Sequence, residues 1–228
     1  MSARFSTVCL ALAATLTTTS AFAEEPTPKA WQNGEGGNIG EGWVLRLGIG
    51  PAWFRGSAEG DGLNSLSVAS SGQEAELAIG RSVTDSLLVQ GEITWLSVDE
   101  PDVEDEVLNT TRRLANGRRL TVIGAGPGLT WNFHRNAYLS GGLHGTVLTV
   151  QESVDGTQGE INTDIGLSLH GAIGAQWAFD GIYTLGVTGA LTAGTLSGEV
   201  DAGAEADWTY LTASLRFTVG FWPGFLGM

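Results

Sequence analysis

Residues 208–222 read Trp-Thr-Tyr-Leu-Thr-Ala-Ser-Leu-Arg-Phe-Thr-Val-Gly-Phe-Trp, an alternation that leaves the chain little choice of fold. Leu211, Ala213, Leu215, Phe217, Val219 and Phe221 take one face, and Tyr210, Thr212, Ser214, Arg216, Thr218 and Gly220 take the other. That is the period of two of a β-strand. The apolar face is long enough for a tilted strand to cross a bilayer, which takes about 9 to 11 residues, and it ends in aromatic side chains. A strand with two such different sides calls for lipid on one and a polar interior on the other.

The same alternation recurs upstream in residues 42–54, 73–81, 86–98, 118–132, 136–151, 163–178 and 182–196. It is clearest in 163–178, where Ile165, Leu167, Leu169, Ile173 and Trp177 oppose Asp164, Ser168, His170 and Gln176. In 118–132, Ile123, Ala125, Leu129 and Trp131 oppose Gly124, Gly126 and Gly128. Pro127 has no N–H to give a ladder, which predicts a bulge or a local break there. Eight strands return the chain to its starting point, as an all-β, antiparallel, up-and-down transmembrane β-barrel requires.

The links alternate in length: 82–85, 133–135 and 179–181 are tight, whereas 55–72, 99–117, 152–162 and 197–207 are long and hydrophilic. Short periplasmic turns and longer extracellular loops are the outer-membrane arrangement, and they place both termini in the periplasm. Trp43, Trp131, Phe133, Trp177, Phe179, Tyr183, Phe221 and Trp222 lie at the short-turn ends. Trp53, Phe54, Trp95, Trp208 and Tyr210 lie towards the long-loop ends, which predicts two aromatic girdles at interface depths. A soluble barrel of lipocalin type would turn the apolar face inward, and it explains neither the unequal loops nor the charged second face.

At the start of the chain, Arg4, the apolar run 8–16 and Ala21-Phe22-Ala23 form a secretory signal cleaved after Ala23. The single cysteine, Cys9, falls inside it, so the exported chain relies on no disulfide. The formal charge of −14 becomes more negative by one on losing Arg4, which rules out a nucleic-acid partner. Thirty-four glycines without a three-residue period suggest closely packed strands and turns. Residues 24–41 show no periodicity and read as a flexible periplasmic lead-in, 42–222 as the barrel, and 223–228 as a short tail.

Signal, eight alternating strands and an aromatic-ended last strand resemble the small outer-membrane barrels of the OmpA/OmpX type. The likeness spans residues 42–222 and is one of pattern. It differs in that 223–228 follow the closing aromatic. It implies a monomer in outer-membrane lipid and lipopolysaccharide, assembled by the barrel assembly machinery, with a structural or surface-interaction role. Barrels of this size also include lipid A palmitoyltransferases and deacylases. Ser168 and His170 are the pair to weigh for that chemistry, but their face is the lumen, they lack an evident orienting acid, and no amphipathic helix precedes residue 42.

Charged residues on the inward face carry the site prediction, because a carboxylate facing lipid costs several kcal/mol while one in the lumen can be paired. Arg46, Glu74, Glu76, Glu92 and Arg216 share that parity on adjacent strands, which predicts a structural ionic network filling a lumen that eight strands leave barely wide enough for side chains. His144 and His170 share it on the fifth and sixth strands, which neighbour each other. With no third ligand at metal spacing they read as satisfied luminal histidines, and nothing calls for a cofactor. The rival reading, a narrow conduit or small-molecule binder, rests on room in front of Gly124, Gly126 and Gly128. The long loops hold most of the acids, among them Asp99, Glu100, Asp102, Glu104, Asp105 and Glu106, followed by Arg112, Arg113, Arg118 and Arg119. Solvation explains such a run, and an extracellular partner is the functional alternative.

Overall fold

The computed structural model describes residues 42–60, 66–84, 86–105, 110–113, 118–134, 136–154, 157–179, 183–200 and 204–221. The signal, lead-in and tail assigned above lie outside them. The alternating segments become β1 (Trp43–Gly60), β2 (Leu66–Ser82), β3 (Leu87–Asp99), β6 (Arg119–His134), β7 (Ala137–Val154), β9 (Gly166–Phe179), β10 (Tyr183–Val200) and β11 (Ala204–Phe221). Their hydrogen-bonded order is β1-β11-β10-β9-β7-β6-β3-β2, every pairing is antiparallel, and β2 pairs back onto β1. The ring is closed and leaves no sheet edge around its circumference.

Strands run further than their lipid-type alternation. In 55–72 and 197–207 the described residues, 55–60, 66–72, 197–200 and 204–207, are strand: β1 pairs with β2 up to Ala58↔Leu66, and β10 with β11 up to Val200↔Ala204. Within 99–117, β4 (Asp102–Asp105) pairs with β2 and with β5 (Thr110–Arg113), and within 152–162, β8 (Thr157–Asn162) folds back on β7. The described parts of the long hydrophilic links are thus mainly strands that extend the barrel wall. Eighteen residues of β11 at ~3.3 Å each, tilted by about 40°, rise roughly 45 Å, some 20 Å more than an apolar band of about 25 Å needs.

Proline acts in two places. Gly50-Pro51 interrupts pairing with β11 between Ile49↔Phe217 and Ala52↔Ser214, and Gly126-Pro127 interrupts pairing with β7 between Ala125↔Gly145 and Gly128↔Gly142. Neither step changes the register, so Pro127 makes a local break and no bulge; the register shift lies between Trp131 and His134. A Cβ on Gly50 or Gly126 would run into the carbonyl of Leu215 or Leu143, so only glycine lets the strands close up beside a proline that cannot donate.

Candidate functional site

Burial alternates along every barrel strand, and its sense decides the environment. Phe217, Leu169 and Ile49 are 67%, 61% and 60% exposed on the outer face, in a belt with Leu47, Ile93, Leu129, Leu143, Leu185 and Leu215. On the opposite face of the wall, Arg46, Glu76, Glu92, His144, His170 and Arg216 are buried inside. Large apolar side chains outside and ionisable ones inside invert the arrangement of a water-soluble protein, and a continuous apolar belt of this size has no stable contact with water. This is an outer-membrane-type β-barrel. At its short-turn end Trp43, Phe133, Trp177 and Tyr183 stand outward with Trp131, which packs on Phe133 at 5.7 Å.

Adjacent strands set the luminal ionic contacts. Glu76 of β2 lies one step from Arg46 of β1 in the pairing Arg46↔Ala78, and accepts hydrogen bonds on Oε1 from Arg46 Nε at 3.1 Å and Nη2 at 2.9 Å. Arg216 of β11 reaches over β1 to both β2 carboxylates, with Nη1 at 2.7 Å from Glu74 Oε1 and Nη2 at 2.5 Å from Glu76 Oε2. On the intervening strand a Cβ on Gly50 would lie 2.8 Å from Arg216 Cα, whereas one on Gly48 would stand in ordinary contact, 3.7 Å from Arg216 Cβ and Cδ. Ser214 donates to Glu74 at 3.1 Å. The Arg46 guanidinium also lies 5.0 Å over the Tyr138 ring, and the Tyr138 hydroxyl is hydrogen-bonded to Thr188.

Glu92 belongs to a second group. Its Oε2 is 2.9 Å from His144 Nε2 and its Oε1 accepts from Gln90 Nε2 at 2.5 Å. His144 and His170 stack at 5.4 Å and 16°, and His170 bridges the groups: Nδ1 meets Thr192 Oγ1 at 2.9 Å and Nε2 lies 3.9 Å from Glu76 Oε2. Parity therefore marked the inward residues, but it did not show that Glu92 faces a histidine instead of an arginine, nor that Gln90 and Tyr138 join in. Ser168 is hydrogen-bonded to Thr146 at 2.7 Å and His170 to Thr192, so the two are not arranged as nucleophile and base. The described residues hold no group of three or more His, Cys, Asp or Glu able to cage a metal.

The glycines face occupied space. A Cβ on Gly128 would lie 2.5 Å from Glu92 Oε1, one on Gly142 2.6 Å from Glu92 Oε2, and one on Gly124 2.8 Å from the Thr94 hydroxyl. These positions are small because the carboxylate and imidazole sit against them.

Towards the long-loop end the barrel reverses its polarity. Phe54, Trp208 and Tyr210 are 2%, 7% and 4% exposed and point inward, so they do not belong to a lipid-facing girdle. Phe54 stacks on Tyr210 at 6.1 Å and 18°, in a cluster with Val98, Leu120, Leu148 and Leu196. Outside, at the same level, are Arg55, Glu59, Arg119, Asp207 and Thr209, with Arg119 Nε 2.7 Å from Asp99 Oδ1. Trp53 and Trp95, 55% and 54% exposed, mark the outward aromatics on this side. Above them the wall is that of a water-soluble barrel, polar outside and apolar within.

No protein-family description and no curated protein matches the chain. Among solved structures it is similar to the outer membrane protein OprG of Pseudomonas aeruginosa, at 12% identity over 81% of this chain and 98% of that one, with a TM-score of 0.49. Neisserial surface protein A gives 12% identity, 82% and 99% coverage and a TM-score of 0.46; Ail of Yersinia pestis gives 15%, 78% and 99%, and 0.39. Likenesses this distant carry nothing about role, and the assignment of the barrel rests on its own two faces.

Proposed function

We propose that this barrel is a non-conducting outer-membrane protein with a structural or surface-interaction role, its lumen plugged by the ionic network and its long-loop end outside the cell. The observation that carries this is the filled interior: Arg46, Glu76 and Arg216 join across three neighbouring strands, while Glu92 and His144 occupy the space in front of Gly128 and Gly142. An eight-stranded barrel has little interior to spare, and here side chains take it up. The narrow-conduit reading depended on that space being empty, so the packing favours the plug. A lipid A-modifying enzyme would need a nucleophile and base in contact near lipid acyl chains, and Ser168 and His170 are luminal and bonded elsewhere.

The part of the wall beyond the apolar belt supports the surface role, because it holds a polar outer face on a packed core at the end opposite the short turns. Lipid and lipopolysaccharide surround the belt, the barrel assembly machinery inserts it, the protein acts as a monomer, and an extracellular partner would meet the acidic long-loop end. Both chain termini are then periplasmic. Single-cysteine labelling of intact cells with a membrane-impermeant reagent tests the orientation. Glu59→Cys should be modified on intact cells and Thr84→Cys only after permeabilisation; the reverse pattern would overturn the topology.

A further inference from the structure

The two halves of the lumen are closed by different chemistry. Next to the short turns lie Arg46, Thr130, Asn132, Gln176 and Thr184, around a cavity of about 10 Å³, room for a single water. Asn132 is partly exposed there and accepts a hydrogen bond from Gln176 at 3.3 Å. Then come the carboxylates and histidines. Beyond them Phe54, Leu96, Leu120, Leu148, Leu196 and Trp208 converge from β1, β3, β6, β7, β10 and β11, none more than 7% exposed. The polar chamber is thus bounded by an apolar layer on the long-loop side.

We infer that this apolar layer is a second barrier to ions, in series with the ionic network and independent of it. The inference rests on the non-conducting reading above and extends it. An ion in the network half meets opposite charges and hydrogen-bond donors that replace part of its hydration shell. In the layer formed by Phe54, Leu120 and Leu148 it meets no charge, and only the Trp208 indole N–H and the Tyr210 hydroxyl as donors, so the ion must shed most of its shell without compensation. That penalty does not depend on whether Glu76 or Arg216 is charged. Rearranging the network therefore leaves the barrel closed, and among the described residues its polar chamber opens towards the short-turn mouth.

Planar-bilayer conductance of four purified proteins tests this, each first shown to be folded by its heat-dependent gel mobility. They are the unaltered chain, the network variant Glu76→Gln/Arg216→Met, the layer variant Leu148→Ser/Leu196→Ser, and the combination. The first three should stay at the level of the protein-free bilayer, and the combination should exceed it at least tenfold. Conductance by the unaltered chain would refute the non-conducting reading itself. Conductance by the network variant alone would leave that reading standing and overturn the second barrier; conductance by the layer variant alone, or a silent combination, would overturn the arrangement in series. Should the layer variants fail to fold, thiol labelling in detergent with a small charged reagent decides. In the Glu76→Gln background Thr184→Cys should react and Val122→Cys should not, and reaction at Val122→Cys would overturn the barrier.

Discussion

Arg216 shows what one residue does here. It is fully buried, spans from β11 to β2, and contacts Glu74 at 2.7 Å and Glu76 at 2.5 Å, while Arg46 holds the other oxygen of Glu76. Removing one member leaves a charge in a confined site, which is worse than never having had the pair. Glu76→Gln or Arg216→Met should therefore destabilise by roughly 1 to 5 kcal/mol in denaturant titration of the folded barrel, against about zero for exposed Glu59→Gln. Contacts also rank the couplings. A double-mutant cycle should give Arg216 with Glu76 more than about 0.5 kcal/mol, and Arg216 with Glu92 close to none, because Glu92 spends its oxygens on His144 and Gln90. Additivity for Arg216 with Glu76 would mean that the network is not formed as described.

At the scale of a strand, the reversal of polarity is the main feature. On β11, Leu211, Leu215, Phe217 and Val219 are outward and apolar, and two turns of alternation earlier Asp207 and Thr209 are outward and polar while Trp208 and Tyr210 fill the interior. One strand, with one unbroken register to β10, passes from lipid into water. A lysine scan along its outer face should locate the crossing. Leu215→Lys should cost about 2 to 4 kcal/mol in folding titrations into lipid, and Thr209→Lys about 0 to 1, since the penalty depends on depth. Equal penalties would place both residues in the same medium.

For the whole molecule, closure matters more than any single contact. Every described barrel strand has two neighbours, so no edge unzips first, and without a disulfide the ladder must hold the fold. Unheated protein in mild detergent should migrate as a compact species on a gel, and boiling should shift its mobility. Identical mobility before and after boiling would argue for a barrel that detergent alone unfolds, as a water-soluble one would.

Period-two alternation was sufficient by itself to set the fold class, the eight strands and the side each residue faces, because strand parity is local: Leu215 and Arg216 cannot share a face whatever the rest of the chain does. It also told that Arg46, Glu76 and Arg216 point the same way. Which carboxylate meets which cation it could not tell, since that depends on register and on how far a side chain reaches. Gly128 and Gly142 let Glu92 settle beside His144. Phe54 shares the parity of Arg46, and Trp208 and Tyr210 that of Arg216, so alternation already turned them inward; the girdle reading went by their place at strand ends alone. Only the closed barrel, which carries its wall past the lipid and brings those three together with Leu120 and Leu148, makes that end of the interior an apolar core.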